Sequence, residues 1–256
     1  MAAASEGHLE MVELLLLKGA DVQLSTINGG TALMLASSKG HLKVVELLLL
    51  KSADIDTRDN QGLTALMKAA SYRYLEIVEL LLLKGADIHI RDNDGRTALM
   101  LAASEGHLQV VELLLLKGAD IHMRSDDGWT ALNYAAAGGH LKVAKLLLLN
   151  GADLNLQDED GDTAFLQAAA SGHSDMVVLL LQRGVDINYK NEDGRTALSS
   201  AAHEGHEKVV EVLLWHNADI SCQDKDGKTA LSWAEEKGHK EVVELIHSHQ
   251  EANPME

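Results

Sequence analysis

At 256 residues and 46% hydrophobic, the chain holds ample material for a core, and its 22 Lys and Arg against 39 Asp and Glu leave a formal charge of −17. That balance argues against nucleic acid and against anionic membrane surfaces, both of which call for a basic footprint. A single cysteine, Cys222, excludes an intrachain disulfide and suits the reducing cytoplasm or nucleus, and no stretch approaches the roughly 20 apolar residues of a membrane-spanning helix.

The chain opens on Ala3-Ala4-Ser5-Glu6-Gly7-His8 and runs into VELLLLKGAD at 12–21, a string that returns at 78–87 and 111–120. Such self-similarity is sought first, because it sets the architecture. Glycines stand at Gly29, Gly62, Gly95, Gly128, Gly161, Gly194 and Gly227, each 33 residues from the last. His8, His41, His107, His140, His173, His206 and His239 keep the same period, with Tyr74 in one place. So do Asp21, Asp54, Asp87, Asp120, Asp153, Asp186 and Asp219. The units start near residues 1, 27, 59, 92, 125, 158, 191 and 224, eight in all with the first one partial, and together span 1–250. Residues 251–256 are expected to be a loose tail.

Within the unit at 92–124, Asp92-Asn93-Asp94-Gly95 predicts a tight turn. Thr97 is placed to cap a short helix through Ala98-Leu99-Met100-Leu101-Ala102-Ala103, which Gly106 ends. A second helix carries Val110, Val111, Leu113, Leu114 and Leu115, apolar on so many sides that it calls for cover on more than one. Gly118 stops it, and Ala119-Asp120-Ile121 leads into an extended arm. A unit this small cannot bury its own apolar faces, whereas stacked copies can. The last unit is more polar, with Glu235, Glu236, Lys237, Lys240 and Glu241, as suits a terminal cap. Beginning mid-repeat is expected of a piece of a longer protein, and the near-identical strings of recent duplication or of design.

These landmarks resemble the ankyrin repeat, whose pattern residues 27–250 meet in register. The resemblance implies an all-α repeat solenoid of helix–turn–helix units with β-hairpin fingers, a concave face built from fingers and first helices, and a protein-binding role. The family's Thr-Pro-Leu-His becomes Thr-Ala-Leu-Met, Thr-Ala-Leu-Asn, Thr-Ala-Phe-Leu or Thr-Ala-Leu-Ser here. Loss of that His is expected to remove a hydrogen bond to the Thr. Met34, Met67 and Met100 read as framework. The third unit departs most, with Tyr72-Arg73-Tyr74 where others have Gly-His. A left-handed Arg73 there would cost about 1 kcal/mol.

Catalytic, metal and cofactor sites are not expected. Histidines one repeat apart cannot share a zinc ion, which binds nitrogen at about 2.0–2.1 Å, and each is expected instead to hold the loop entering its second helix. The tip aspartates read as turn formers facing water. Partner contacts are expected where units differ, at Leu63, Arg96, Trp129, Asp162, Arg195 and Lys228 after the tip Gly, and at Glu105, His203 and Glu204 before the next Gly. Tyr72, Tyr74 and Tyr134 join them. Trp129 leads, since an indole on a finger has little core role and Trp is enriched at binding hot spots; the other reading packs it on a neighbouring finger. Arg96 and Arg195 are read as pairing with tip acids or with a partner. The resemblance also marks Asn155 and Asn188 as candidates for asparaginyl hydroxylation. The chain is read as a monomeric scaffold or adaptor for a protein or peptide with a basic contact surface. A regulatory or spacer domain of a larger protein and an engineered consensus repeat are the alternatives.

Overall fold

A computed structural model describes residues 1–252. Contacts divide the chain into two units, Met1–Asp127 and a second from Gly128 on. The first unit comprises α1 (Ala2–Ser5), α2 (Leu9–Leu17), α3 (Ala32–Lys39), α4 (Leu42–Leu50), α5 (Ala65–Ser71), α6 (Leu75–Leu83), α7 (Ala98–Ser104) and α8 (Leu108–Leu116). The second comprises α9 (Ala131–Ala137), α10 (Leu141–Leu149), α11 (Ala164–Ala170), α12 (Ser174–Leu181), α13 (Ala197–Glu204), α14 (Glu207–Trp215), α15 (Ala230–Lys237) and α16 (Lys240–Ala252). Glu251 and Ala252 thus extend the last helix rather than starting a tail, and 253–256 lie outside the described residues.

Each unit is a stack of helical repeats. In the first, α1, α3, α5 and α7 pack in series, and α2, α4, α6 and α8 form a parallel series. In the second, α9, α11, α13 and α15 do the same beside α10, α12, α14 and α16. Alanine sets the spacing: Ala36, Ala69, Ala102, Ala135, Ala168, Ala201 and Ala234 are all 0% exposed, so nothing bulkier than a methyl group stands between neighbours there. On the second helices Leu48, Leu81, Leu114 and Leu147 are sealed in, yet the last leucine of each run, Leu50, Leu83, Leu116 and Leu149, faces solvent. The apolar circumference is therefore covered on fewer sides than its composition suggests.

The caps explain the helix starts. Thr31, Thr64, Thr97, Thr130, Thr196 and Thr229 each accept from the amide three residues on, while Thr163 makes no such bond. In five of the seven full repeats the loss expected from the missing His is made good locally, Thr64 and Thr163 being the exceptions. Asn133 Oδ1, Ser199 Oγ and Ser232 Oγ accept the Thr amide at 3.1, 2.9 and 2.8 Å, and Met34 and Met100 offer sulfur at 3.5 Å.

The fingers are turns, not β-hairpins: one isolated bridge, Ser25 to Thr31, is the only strand-like pairing among the described residues. The reason lies in the aspartate that opens each finger. Asp59 Oδ1 accepts from the amides of Gln61 and Leu63, both at 2.9 Å, and so closes the loop on itself. Asp92, Asp158 and Asp224 act alike. These carboxylates point inward, Asp92 being 4% exposed, which corrects the expectation that all tip acids face water. Successive fingers bond through backbone, Asn60 to Asn28 and Asn93 to Gln61 in the first unit, Glu192 to Asp160 and Lys225 to Asp193 in the second.

The histidine comb ties repeats together rather than holding its own loop. The Nε2 atoms of His41, His107, His173, His206 and His239 lie 2.8–3.0 Å from the carbonyl oxygens of Ser5, Ser71, Ala137, Ala170 and His203 in the preceding repeat. The rings of His41, His173, His206 and His239 rest on Gly7, Gly139, Gly172 and Gly205 of the preceding repeat: a Cβ at Gly7 would come within 2.5 Å of His41.

Candidate functional site

The residues that vary between repeats lie on the fingers, the exposed side of the first helices and the helix ends, and the structure sorts them into distinct environments. Arg96 is bound by its own finger, at 2.8 Å from both Asp92 Oδ2 and Asp94 Oδ2. Leu63 is half-buried beside that turn chemistry, its amide spent on Asp59. Tyr72, at the end of α5, is 61% exposed, and Glu105, at the end of α7, is exposed as well. Tyr74 takes the histidine place in its repeat: its ring would meet a Cβ on Gly40 at 2.4 Å, so it is a spacer between repeats at the start of α6. Arg73 does adopt the left-handed region, at φ 64°.

In the second unit the structure joins several predicted residues. Trp129 is half-buried, donates from Nε1 to Asp158 Oδ2 at 2.9 Å and packs 5.0 Å from the Tyr134 ring. The indole therefore holds two fingers together, as the packing reading expects, while part of its surface stays open. Gln167 Nε2 donates to the same Asp158 oxygen at 3.1 Å. Asp162 lies beside this group, accepting from Asn191 Nδ2 at 2.8 Å. Burial pushes its carboxyl from 3.8 up to about 6, against the pull of Asn191; Asp158 and Asp160 add to the rise and Arg195 opposes it.

A second cluster surrounds Trp233 on α15, a residue that the first-helix position marks as core and that is 7% exposed. Lys228 Nζ stands 3.9 Å from its ring centroid, the Arg195 guanidinium 4.9 Å, and His203 meets the ring edge-on at 4.8 Å. Trp233 Nε1 donates to Asp224 Oδ2 at 2.8 Å. Acids stand beside this cluster: Lys228 pairs with Glu236, and His203 Nδ1 lies 2.7 Å from Glu204 Oε1. The predicted residues Arg195, His203, Glu204 and Lys228 thus share one neighbourhood, whereas Tyr72 stands apart in the third repeat and Arg96 and Glu105 in the fourth.

Of the two arm asparagines, Asn155 is exposed, while Asn188 Oδ1 accepts the Asp219 amide at 2.8 Å. Among the described residues no group of three or more His, Cys, Asp or Glu is placed to hold a metal ion, and no helix is long and apolar enough to cross a membrane.

A cleft of about 530 Å³, not foreseen from the sequence, lies between the fingers of the second and third repeats, lined by Gly30, Leu35, Ser38, Asp59, Gln61 and Lys68. The signal was available. The column Leu63, Arg96, Trp129, Asp162, Arg195 and Lys228, continued back one repeat, reaches Gly30, the one member without a side chain.

The family described as ankyrin repeats, in a model of three copies, matches residues 1–92, 81–158, 146–224 and 165–256. No curated protein matches the chain.

Proposed function

The chain belongs to the ankyrin-repeat family, and from that membership we propose that it is a protein-interaction module whose fingers and first helices carry the binding surface. One observation supports the reading above the others. At the ends of the first helices the side chains differ from repeat to repeat and stay accessible, as Tyr72, Glu105 and Glu204 do, whereas the recurring Thr, Asp and His of the framework are spent on caps, turns and inter-repeat bonds. Tyr and Arg favour hot spots, and the charge of −17 favours a partner that is basic at the contact. Trp129, Asp162 and Arg195 shape the surface and hold its fingers. A photoreactive benzoylphenylalanine placed at Tyr72, Glu105 or Glu204 is expected to crosslink to a bound protein in cell extract. The same group at Leu83 or Leu116, on the second helices, is expected not to. The reverse pattern would move the binding surface elsewhere.

A further inference from the structure

We propose that the cleft beside Gly30 receives an aromatic side chain bearing an N–H donor, an indole, presented by a partner protein. The protein supplies the template three repeats further along. There Trp129, Tyr134, Asp158 and Gln167 hold the places that Gly30, Leu35, Asp59 and Lys68 hold here. At the later site Asp158 Oδ1 accepts two backbone amides and Oδ2 accepts two side-chain donors, Trp129 Nε1 at 2.9 Å and Gln167 Nε2 at 3.1 Å. At the earlier site Asp59 Oδ1 accepts its two amides in the same way, and Oδ2 meets Lys68 Nζ at 2.7 Å. The donor that the indole supplies to Asp158 has no counterpart on Asp59, and the carboxylate is only 8% exposed.

The space corresponds too. Every other finger fills this position with its own side chain, and the missing one leaves the cleft of about 530 Å³. Glycine is not there for its backbone freedom. Gly29 is left-handed at φ 77°, but Gly30 is not, and a Cβ on it would meet only the Thr26 hydroxyl, at 3.2 Å. Leu35 offers an aliphatic face where Tyr134 offers its ring to Trp129. An incoming indole would find the stacking wall, the acceptor and the volume together, as anchor residues of interfaces do.

The inference rests on the finger face being the binding surface only for the class of ligand, a protein side chain. Its test needs no partner, so it can fail while the crosslinking succeeds, and the reverse. Indole and 1-methylindole, which lacks the donor, are titrated into the ¹⁵N-labelled protein and followed by amide chemical shifts. Indole is expected to shift Ser38, Gln61 and Lys68 with a Kd in the ~mM range, and 1-methylindole to bind about tenfold or more weakly, since its loss leaves a charged acceptor unmatched. Gly30→Trp fills the cleft from within and is expected to abolish the shifts. Gly30→Leu, which copies Leu63, serves the same purpose with a smaller side chain. Absence of shifts at these amides, equal binding of the two probes, or undiminished binding in a folded Gly30→Leu protein would each overturn the proposal.

Discussion

Asp162 shows how a single side chain can work against the fold that positions it. Its carboxyl is half-buried next to Asp158 and Asp160, and burial raises its pKa to about 6 from 3.8. A group whose folded pKa lies above its unfolded one supports the fold fully below about pH 4, and that support is lost as the pH rises through about 6. Asp162→Asn is therefore expected to be more stable than the native protein at pH 7.5, by on the order of 1 kcal/mol once solvent screening of a partly wet group is allowed for. The difference should vanish at pH 4, as chemical denaturation at the two pH values would show; a pH-independent difference would contradict the assignment. Backbone strain gives a second test at this scale. Ser52 is left-handed, at φ 60°, where Gly19, Gly85, Gly118, Gly151 and Gly184 stand in other repeats with open space around them. Ser52→Gly is expected to raise stability by about 1 kcal/mol, because the side chain pays a steric cost there and contributes no packing. Trp129 was visible in the sequence as unusual, but its partner Asp158 was not: they meet only when neighbouring fingers are brought together.

At the scale of the helix, position in the stack decides the worth of chemically identical residues. Leu114 and Leu116 sit in one LLLL run, the first 0% exposed between neighbouring helices and the second 79% exposed. Leu114→Ala is expected to cost about 2–5 kcal/mol and Leu116→Ala less than about 0.5 kcal/mol, measured by urea denaturation. Comparable losses at both sites would mean that the second helices are covered on their outer side as well. Composition showed that these helices are apolar on many sides. It could not show which side lacks a neighbour, because that depends on where the adjacent repeat's helix lies. The finger turns carry the same lesson. Their Asp and Gly residues announced a turn, yet at Asp59, Asp92 and Asp158 the carboxylate accepts the amide four residues on, which a paired strand would have given to a carbonyl, and only the opposite backbone bond crosses the finger.

Across the whole molecule, charge is the dominant unbalanced quantity. A net charge of −17 is a standing self-repulsion that dissolved salt screens, over a Debye length of about 10 Å at 0.1 M. The melting temperature is expected to rise by a few degrees (~2–5 °C) between 10 mM and 300 mM NaCl, and a fall would show that the ion pairs of Lys68 with Asp59 and Arg91 with Asp126 outweigh the repulsion. The repeat architecture itself was determined by the sequence, because a period of 33 residues in glycine, histidine and aspartate records contacts that each repeat makes with the next in the same way. Caps, turn positions and the buried alanine layer followed from that period by local rules. The tertiary structure alone decided which side chains meet across the repeats: the histidine-to-carbonyl ties, the indole on Asp158 and the empty place beside Gly30. Those pairings span some thirty residues of chain, and a periodic pattern fixes which positions are equivalent without fixing which of them touch.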